Sequence, residues 1–255
     1  MARVLVTGAT AGLGLGAARE LLDDGHDVVF HARNDERAAS LGDLGRRAAG
    51  IVIGDLTNRD DTAAIAQQAN DIGGIDAVIH NAGIYVDRTR VATPDGHART
   101  LAVNVLAPYL LTAWIERPAR LIYLTSDMHR SGDPSLRDLD WNARPWNGVQ
   151  AYCDSKLYIA ALAFAVARRS PTTTAHAVNP GWVPTRMGGP SAPDDLELGH
   201  RTQAWLAVTD DSAATAGPGY WYHRQRQQPA ASVLDESFQN ALVEELGRLT
   251  DEKPP

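Results

Sequence analysis

Short apolar runs alternate with stretches of helical spacing along most of the chain. The apolar runs are rich in Val, Ile and Leu, and they are continuous, which is typical of strands buried on both faces of a parallel sheet. Seven of these runs predict strands, at residues 3–8, 28–32, 50–55, 76–83, 120–126, 174–179 and 219–223.

Helical spacing fills the intervals between those strands. It predicts helices at residues 13–24, 34–42, 58–72, 93–115, 148–169, 195–208 and 235–249. Alternation of strand and helix indicates an α/β fold, a doubly wound parallel sheet of about seven strands with helices on both faces. Because no internal repeat or linker interrupts the pattern, we expect a single domain over residues 1–255.

Two long loops interrupt this alternation: residues 127–147 carry Gly, Pro, Asp and Trp, and residues 180–193 hold four prolines and three glycines. They follow the fifth and sixth predicted strands. Ligands of open α/β sheets bind at the carboxyl ends of the strands, and long loops in compact domains are usually functional. We therefore expect both loops to border an active site.

Composition and charge narrow the classes of partner. The formal net charge is −7 and no basic cluster stands out, so neither nucleic acid nor an anionic membrane is an expected partner. The longest apolar run, Tyr158–Ala167, has ten residues, well short of the roughly 20 needed to span a membrane. A single cysteine excludes an internal disulfide, and a first strand at residue 3 leaves no room for a signal peptide, so we expect a cytoplasmic protein. The eight histidines show no metal-ligand spacing, and we expect no metal.

A glycine-rich loop joins the first predicted strand to the first helix. Its residues that can contact a ligand are Gly8, Thr10, Ala11, Gly12, Leu13 and Gly14. Glycines let the backbone approach a pyrophosphate, and the helix N-terminus supplies N–H donors. A tight turn that needs small residues is the alternative, but the position in the first βαβ unit favours a dinucleotide site.

The end of the second strand bears on the choice of coenzyme. An acidic residue there would bind a ribose 2′-hydroxyl, whereas this chain has Arg33 followed by Asn34. An arginine can pair with a 2′-phosphate, so we expect NADPH (NADP) to be preferred over NADH (NAD). The alternative is that Arg33 is an ordinary surface residue.

With these features, the whole chain resembles the short-chain dehydrogenase/reductase superfamily, whose fold is Rossmann-type. Its motifs occur in the family's order: Thr7–Gly14 is similar to the TGxxxGxG loop; Asp55 and Leu56 to the pair that contacts adenine; Asn81, Ala82 and Gly83 to the NAG motif beside the adenosine ribose; Asn104 to the helix asparagine of the catalytic set; Ser126 to the catalytic serine; Tyr152 and Lys156 to the catalytic pair; and Pro180, Gly181, Val183 and Thr185 to the segment that holds the nicotinamide carboxamide.

Spacing within these motifs points to one branch of the superfamily. Tyr152 lies 26 residues after Ser126, whereas about a dozen is usual in the family. The inserted segment, with His129 near its start, is similar to that of retinol-dehydrogenase-like and protochlorophyllide-reductase-like members. We expect His129 to have a role in the loop or the pocket wall.

The resemblance implies roles for four residues. Tyr152 is the acid in reduction and the base in oxidation, and Lys156, one helical turn on, is expected to lower the pKa of its phenol and to bind the nicotinamide ribose. Ser126 donates a hydrogen bond to the substrate oxygen. Asn104 holds a water that connects Lys156 to solvent, or alternatively is a buried structural amide.

Substrate and assembly are less well defined by the sequence. Tyr85, Met128, Trp182 and Met187 fall on loops expected to surround the nicotinamide, which predicts a hydrophobic carbonyl or alcohol as substrate. Reduction of a C=C bond and a catalytically inactive coenzyme-sensing protein are the alternatives. The helix at 148–169 is apolar almost all round, so either a second subunit, in a homodimer or homotetramer, or the C-terminal segment covers it.

Overall fold

A single eight-stranded sheet organises the protein, as seen in a computed structural model that describes residues 1–253. The strands are β1 Arg3–Val6, β2 Asp27–Ala32, β3 Gly50–Ile53, β4 Ala77–His80, β5 Arg120–Leu124, β6 Thr174–Asn179, β7 Gly219–Tyr222 and β8 Gln225–Gln227. Their order is β3-β2-β1-β4-β5-β6-β7-β8, parallel except for the antiparallel β8. The order reverses between β1 and β4, and that is where such sheets bind ligands.

Helices cover both faces of the sheet, as the alternation of strand and helix predicts. They are α1 Gly12–Asp23, α2 Asp35–Ala39, α3 Asp43–Arg47, α4 Arg59–Ile72, α5 Arg99–Leu101, α6 Ala107–Trp114, α7 Gly148–Arg169, α8 Leu196–Val208, α9 Ser212–Thr215, α10 Ala231–Leu234 and α11 Glu236–Thr250. Val4 and Val6 of β1 point into an apolar cluster with α1 and α8, whereas Leu5 points into a second cluster with α4, α6, α7 and α11. The predicted doubly wound α/β class is confirmed.

The predicted helix at 93–115 is wrong at its start. Residues 93–98 form a turn closed by a hydrogen bond from Thr93 N to His97 O (2.8 Å), and Ala92 forms an antiparallel bridge with Ala98. The helix begins only at Arg99 and contains a π-helical turn, Ala102–Leu106, between α5 and α6. The helix predicted at 34–42 also ends early, at Ala39.

The apolar helix α7 is covered within the chain. Helices α10 and α11 pack against it, and Leu242 and Leu246 of α11 are fully buried in the same cluster as α7. The ring of Phe238 lies 6.4 Å from that of Tyr158. The C-terminal segment is therefore the cover for this helix, and its apolar pattern does not require a second subunit. Across residues 1–253, no helix is both long enough and apolar enough to cross a membrane.

Candidate active site

The glycine loop between β1 and α1 has a shape that only glycine permits. Gly8 and Gly12 have φ angles of 64° and 55°, in the left-handed region. A Cβ on Gly14 would lie 2.6 Å from the Gly8 carbonyl oxygen. The residue that precedes α1, Ala11, has no side chain to cap the helix, so the first N–H groups stay available to a ligand. This cradle fits a pyrophosphate.

Side chains from three neighbouring strands hold the loop in place. The Asn81 amide donates to the Thr7 carbonyl (2.8 Å), and the Thr7 hydroxyl accepts from Ala82 N (3.0 Å). Gly8 N donates to His31 Nδ1 (3.0 Å), and His31 Nε2 lies 2.9 Å from Gly54 O. Burial lowers the pKa of His31, which keeps the ring neutral and leaves Nδ1 free to accept. Sequence reasoning missed His31; the only signal was a polar residue inside the apolar run VVFHA.

The structure places the predicted adenine-end residues at the carboxyl ends of β2 and β3. Arg33 follows β2 and its side chain is exposed, while Asn34 caps α2 by accepting from Arg37 N (3.0 Å). Asp55 accepts from Thr57 N (3.0 Å), and Leu56 is buried. The Arg33 guanidinium takes no part in capping α2 and is open to solvent.

The predicted catalytic residues come together at the carboxyl end of β5. The Ser126 side chain lies beside the Tyr152 phenol, close enough to affect its pKa. Lys156 Nζ lies 5.5 Å from the centroid of the Tyr152 ring and donates to the Leu124 carbonyl (3.0 Å). A Cβ on Gly83 would lie 3.5 Å from the same Nζ, so the ammonium also reaches the loop after β4. The long gap between Ser126 and Tyr152 therefore does not separate them in space.

Burial dominates the electrostatics of this pair. Burial raises the pKa of the Tyr152 phenol well above its usual range, and the nearby Ser126 side chain lowers it by less. Burial also lowers the pKa of Lys156 to about 8. The net shift of Tyr152 is thus opposite to the lowering expected from Lys156, because desolvation dominates, and that role of Lys156 stays a prediction.

Asn104 connects three parts of the site from the π-helical turn. Its amide Nδ2 donates to Ile84 O (3.1 Å) and Ser155 Oγ (3.0 Å), and its Oδ1 accepts from Ile84 N (2.9 Å). Ser155 in turn donates to the Tyr152 carbonyl (2.8 Å). Both amide N–H donors are used, which supports the structural reading of Asn104, while the water-holding role stays a prediction. Ser155, unnoticed in the sequence, lies one helical turn after Tyr152.

The segment predicted to hold the nicotinamide crosses to the glycine loop. Gly181 has a φ of 86°, and a Cβ there would lie 2.6 Å from Asp194 Oδ2, which accepts from Trp182 N at 2.6 Å. A Cβ on Gly12 would lie 3.5 Å from Thr185 Cγ2. Asp194 therefore shapes this turn, although nothing in the sequence pattern identified it. Pro180 and the buried Val183 pack beside Gly199 of α8.

The predicted pocket residues lie on three loops. Tyr85 is on the loop after β4, where its ring meets the Tyr152 ring edge-on with centroids 4.7 Å apart. Met128 is on the loop after β5, and its N–H donates to Ser126 Oγ (3.3 Å). Trp182 and Met187 lie on the loop after β6, with 59% and 42% of their surface exposed. Large apolar side chains are thus exposed on the loops after β4 and β6.

An open groove of about 630 Å³ lies between α1 and α8. It meets the site only at Gly12 and contains no catalytic residue.

His129 links the loop after β5, which carries Ser126, to the C-terminal segment. It is fully buried; its Nδ1 lies 2.7 Å from the Ser126 carbonyl oxygen, and Nε2 accepts from Ala230 N (3.0 Å). Burial lowers its pKa, and a neutral ring with the proton on Nδ1 satisfies both contacts. This is a loop role, as expected from the sequence.

Comparisons with known proteins agree with this geometry. The family model for short chain dehydrogenases matches residues 2–118. Short-chain dehydrogenase chry4 of Gibberella zeae is 40% identical, over all of this chain and 99% of that protein. Retinol dehydrogenase 13 of Homo sapiens is 28% identical, over 99% of this chain and 85% of that protein. A crystal structure of an uncharacterised Mycobacterium paratuberculosis protein superposes with a TM-score of 0.83, at 25% identity, over 100% of this chain and 95% of that one.

Proposed function

Since this chain belongs to the short-chain dehydrogenase family, in a retinol-dehydrogenase-like branch, we propose that it transfers a hydride between NADP(H) and a carbonyl or alcohol on a hydrophobic small molecule. Members of the family are oxidoreductases that bind nicotinamide coenzymes. The observation that carries the proposal is the convergence of Ser126, Tyr152 and Lys156 at the end of β5, with Lys156 Nζ 5.5 Å from the Tyr152 ring, at the sheet edge that also carries the glycine loop.

Coenzyme binding would use the loops at this edge. The residues are Gly8, Thr10, Ala11, Gly12, Leu13 and Gly14 for the pyrophosphate; Arg33, Asn34, Asp55, Leu56, Asn81, Ala82 and Gly83 for the adenosine; and Pro180, Gly181, Val183, Thr185, Tyr152 and Lys156 for the nicotinamide and its ribose. The bound nicotinamide supplies the hydride in reduction and accepts it in oxidation.

Proton transfer is the task of the chain's own residues. In reduction, the Tyr152 phenol gives its proton to the carbonyl oxygen while the Ser126 hydroxyl donates a hydrogen bond to the negative charge that develops there. The raised pKa of Tyr152 keeps the phenol protonated at neutral pH, as an acid must be. Lys156, with a pKa lowered to about 8, can return a proton to the phenol. These shifts favour reduction near neutral pH.

The exposed Arg33 at the end of β2 supports the preference for NADP. No acidic residue occupies positions 32–34, and a guanidinium there can pair with a 2′-phosphate. The exposed apolar side chains of Tyr85, Trp182 and Met187 support a hydrophobic substrate. Retinol dehydrogenase 13 is named for such a molecule. A cytoplasmic location and a homo-oligomer remain proposals from the sequence.

A screen of NADPH oxidation over aldehydes, aliphatic ketones, steroids and aromatic polyketides tests the proposal. With a substrate in hand, we expect Tyr152→Phe to lower kcat by about 10²–10⁴-fold with a nearly unchanged Kd for NADPH, because only the proton donor is lost. Tyr109→Phe, in α6, is the matched control, because its hydroxyl donates to the carbonyl of Glu252 (3.2 Å) and not to a residue of the site. Near-normal turnover by Tyr152→Phe would contradict the mechanism.

The same assay run with both coenzymes tests the NADP preference. Arg33→Ala is expected to raise KM for NADPH by about tenfold or more and to leave KM for NADH little changed, since only the phosphate contact is lost. Arg46→Ala removes another exposed guanidinium, from α3 at the opposite end of the sheet, as control. Equal use of NADPH and NADH by the wild-type protein would rule the preference out.

A further inference from the structure

The Tyr85 ring contacts the proposed acid. Its centroid lies 4.7 Å from that of Tyr152, with the two rings at 81° to each other. Tyr152 is only 6% exposed, whereas Tyr85 is 42% exposed. Tyr85 belongs to the loop after β4 and Tyr152 to α7, so the contact depends on how that loop is held against the helix. Tyr85 thus lies between the phenol and the solvent on this side.

The loop that carries Tyr85 is fixed on both sides of it. Before Tyr85, Ile84 exchanges two hydrogen bonds with the Asn104 amide, at 2.9 and 3.1 Å. After it, the carbonyl of Asp87 accepts from Trp146 Nε1 (3.0 Å). Further along, Arg90 Nε donates to the carbonyl of Asp140 (2.6 Å). Trp146 and Asp140 both belong to the long segment between Ser126 and α7.

That segment is itself built as a rigid piece. The Asp138 carboxylate accepts from three backbone N–H groups, those of residues 142, 143 and 144, at 2.6–3.0 Å. Asp138 and Trp141 have positive φ angles of 55° and 56°, a conformation that a bulky residue such as Trp141 adopts only where its surroundings enforce it. Arg144 lies 3.5 Å from the centroid of Trp141 and donates to the buried Asp154 (2.9 Å). These contacts fix the shape of residues 133–147, which we call the clamp.

We propose that residues 133–147 clamp the loop after β4 so that Tyr85 is held as a positioning residue against Tyr152, where its ring keeps water from the phenol and forms the wall on which an apolar substrate packs. This inference rests on the proposed function, because it assigns Tyr85 a task in the same site. It explains why the distance from Ser126 to Tyr152 is twice the usual one: the added residues brace the neighbouring loop.

Several groups face the Tyr152 phenol besides Tyr85. They are Ser126 from the loop after β5, and Lys156 and Cys153 from its own helix. The Tyr85 ring is the large apolar surface among them, and it meets the Tyr152 ring edge-on. Tyr85→Ala would remove this contact and the wall for an apolar substrate, whereas Tyr85→Phe would keep both.

The test is the split between KM and kcat for ketone reduction by NADPH. Tyr85→Ala is expected to raise KM for an apolar ketone severalfold and to lower kcat, with an unchanged Kd for NADPH, because the substrate loses its wall and Tyr152 loses its positioning contact. Tyr85→Phe keeps the ring and is expected to keep the wild-type KM and kcat. Trp146→Phe removes the bond to Asp87 and is expected to raise KM in the same direction by less, so the readout survives if Tyr85→Ala does not fold.

Failure of this inference is distinguishable from failure of the proposed function. An inactive Tyr152→Phe combined with wild-type KM and kcat in Tyr85→Ala and Trp146→Phe overturns the clamp and leaves the oxidoreductase assignment standing. An active Tyr152→Phe overturns the assignment itself.

Discussion

Gly14 shows how closely the coenzyme loop is packed against its supports. A Cβ at this position would lie 2.6 Å from the Gly8 carbonyl oxygen, which belongs to backbone and cannot swing away. It would also meet the Asn81 amide that holds Thr7. A single methyl group therefore disturbs the loop whose N–H groups face the coenzyme.

Gly14→Ala tests this packing at the scale of one residue. We expect the Kd for NADPH to rise at least about tenfold, because the loop must shift to admit the methyl group. Gly45→Ala is the matched control, since a Cβ there meets Ile51 at an ordinary 3.4 Å and also lies in a helix. Equal coenzyme affinities in the two variants would show that the loop is more tolerant than its contacts indicate.

At the scale of single residues, the sequence identifies residues that belong to a family motif. It misses residues whose role is to hold the motif's loops in place. Tyr152, Lys156 and Ser126 were located by type and order, and the structure brings them together. His31 and Asp194 act through contacts with residues more than ten positions away, which no local pattern encodes. The raised pKa of Tyr152 was also not predictable, because it depends on how deeply the phenol is buried.

Among the elements, α11 takes the position that a second subunit would otherwise have to fill on α7. Leu242 lies at the centre of this contact and is fully buried, while Leu234, in the neighbouring α10, is 46% exposed. The two leucines therefore differ in burial within one C-terminal segment. The contact between α11 and α7 should therefore contribute to the free energy of unfolding of a single chain.

Leu242→Ala is expected to lower the free energy of unfolding by about 2–5 kcal/mol, through lost burial and the cavity left behind. Leu234→Ala, the matched control, is expected to change it by no more than about 0.5 kcal/mol. Urea unfolding followed by circular dichroism measures both. Similar losses in the two variants would place the cover of α7 elsewhere, and light scattering on the wild-type protein reports its oligomeric state directly.

Element boundaries show where sequence patterns stop being sufficient. Strand and helix alternation was enough for the sheet and for α7, whose predicted bounds match the structure. The same pattern wrongly predicted a helix at residues 93–98, where polar residues and a proline form a turn. It also missed β8, since three exposed polar residues carry no apolar period.

Across the whole molecule, buried histidines make stability depend on pH. Burial lowers the pKa of His31, His80, His129 and His176, to about 3 for His80 and about 4 for His176. The unfolded chain takes up protons at these positions below about pH 6.5, but the folded protein does so only at lower pH, so acid favours unfolding. His97 acts oppositely: Asp140 raises its pKa, and its stabilising contribution is lost as pH rises through that raised value.

We therefore expect the Tm to fall as the pH is lowered from 6.5 towards 4. Each neutral histidine contributes a slope of up to about 1.4 kcal/mol per pH unit over its own window. Scanning calorimetry at several pH values measures this, and His80→Phe, which removes one titrating group, is expected to flatten the slope. A Tm independent of pH in this range would show that the four rings are not held neutral.

The short strand β8 has a consequence for how copies of this protein meet one another. Without it, β7 would be the outer strand, with the unpaired backbone of Gly219–Tyr222 and its buried aromatic rings at the border of the sheet. Such a border can recruit a strand from another molecule and start aggregation. Three polar, exposed residues with an arginine at their centre occupy it instead. Loss of this hairpin would therefore affect solubility before it affected catalysis.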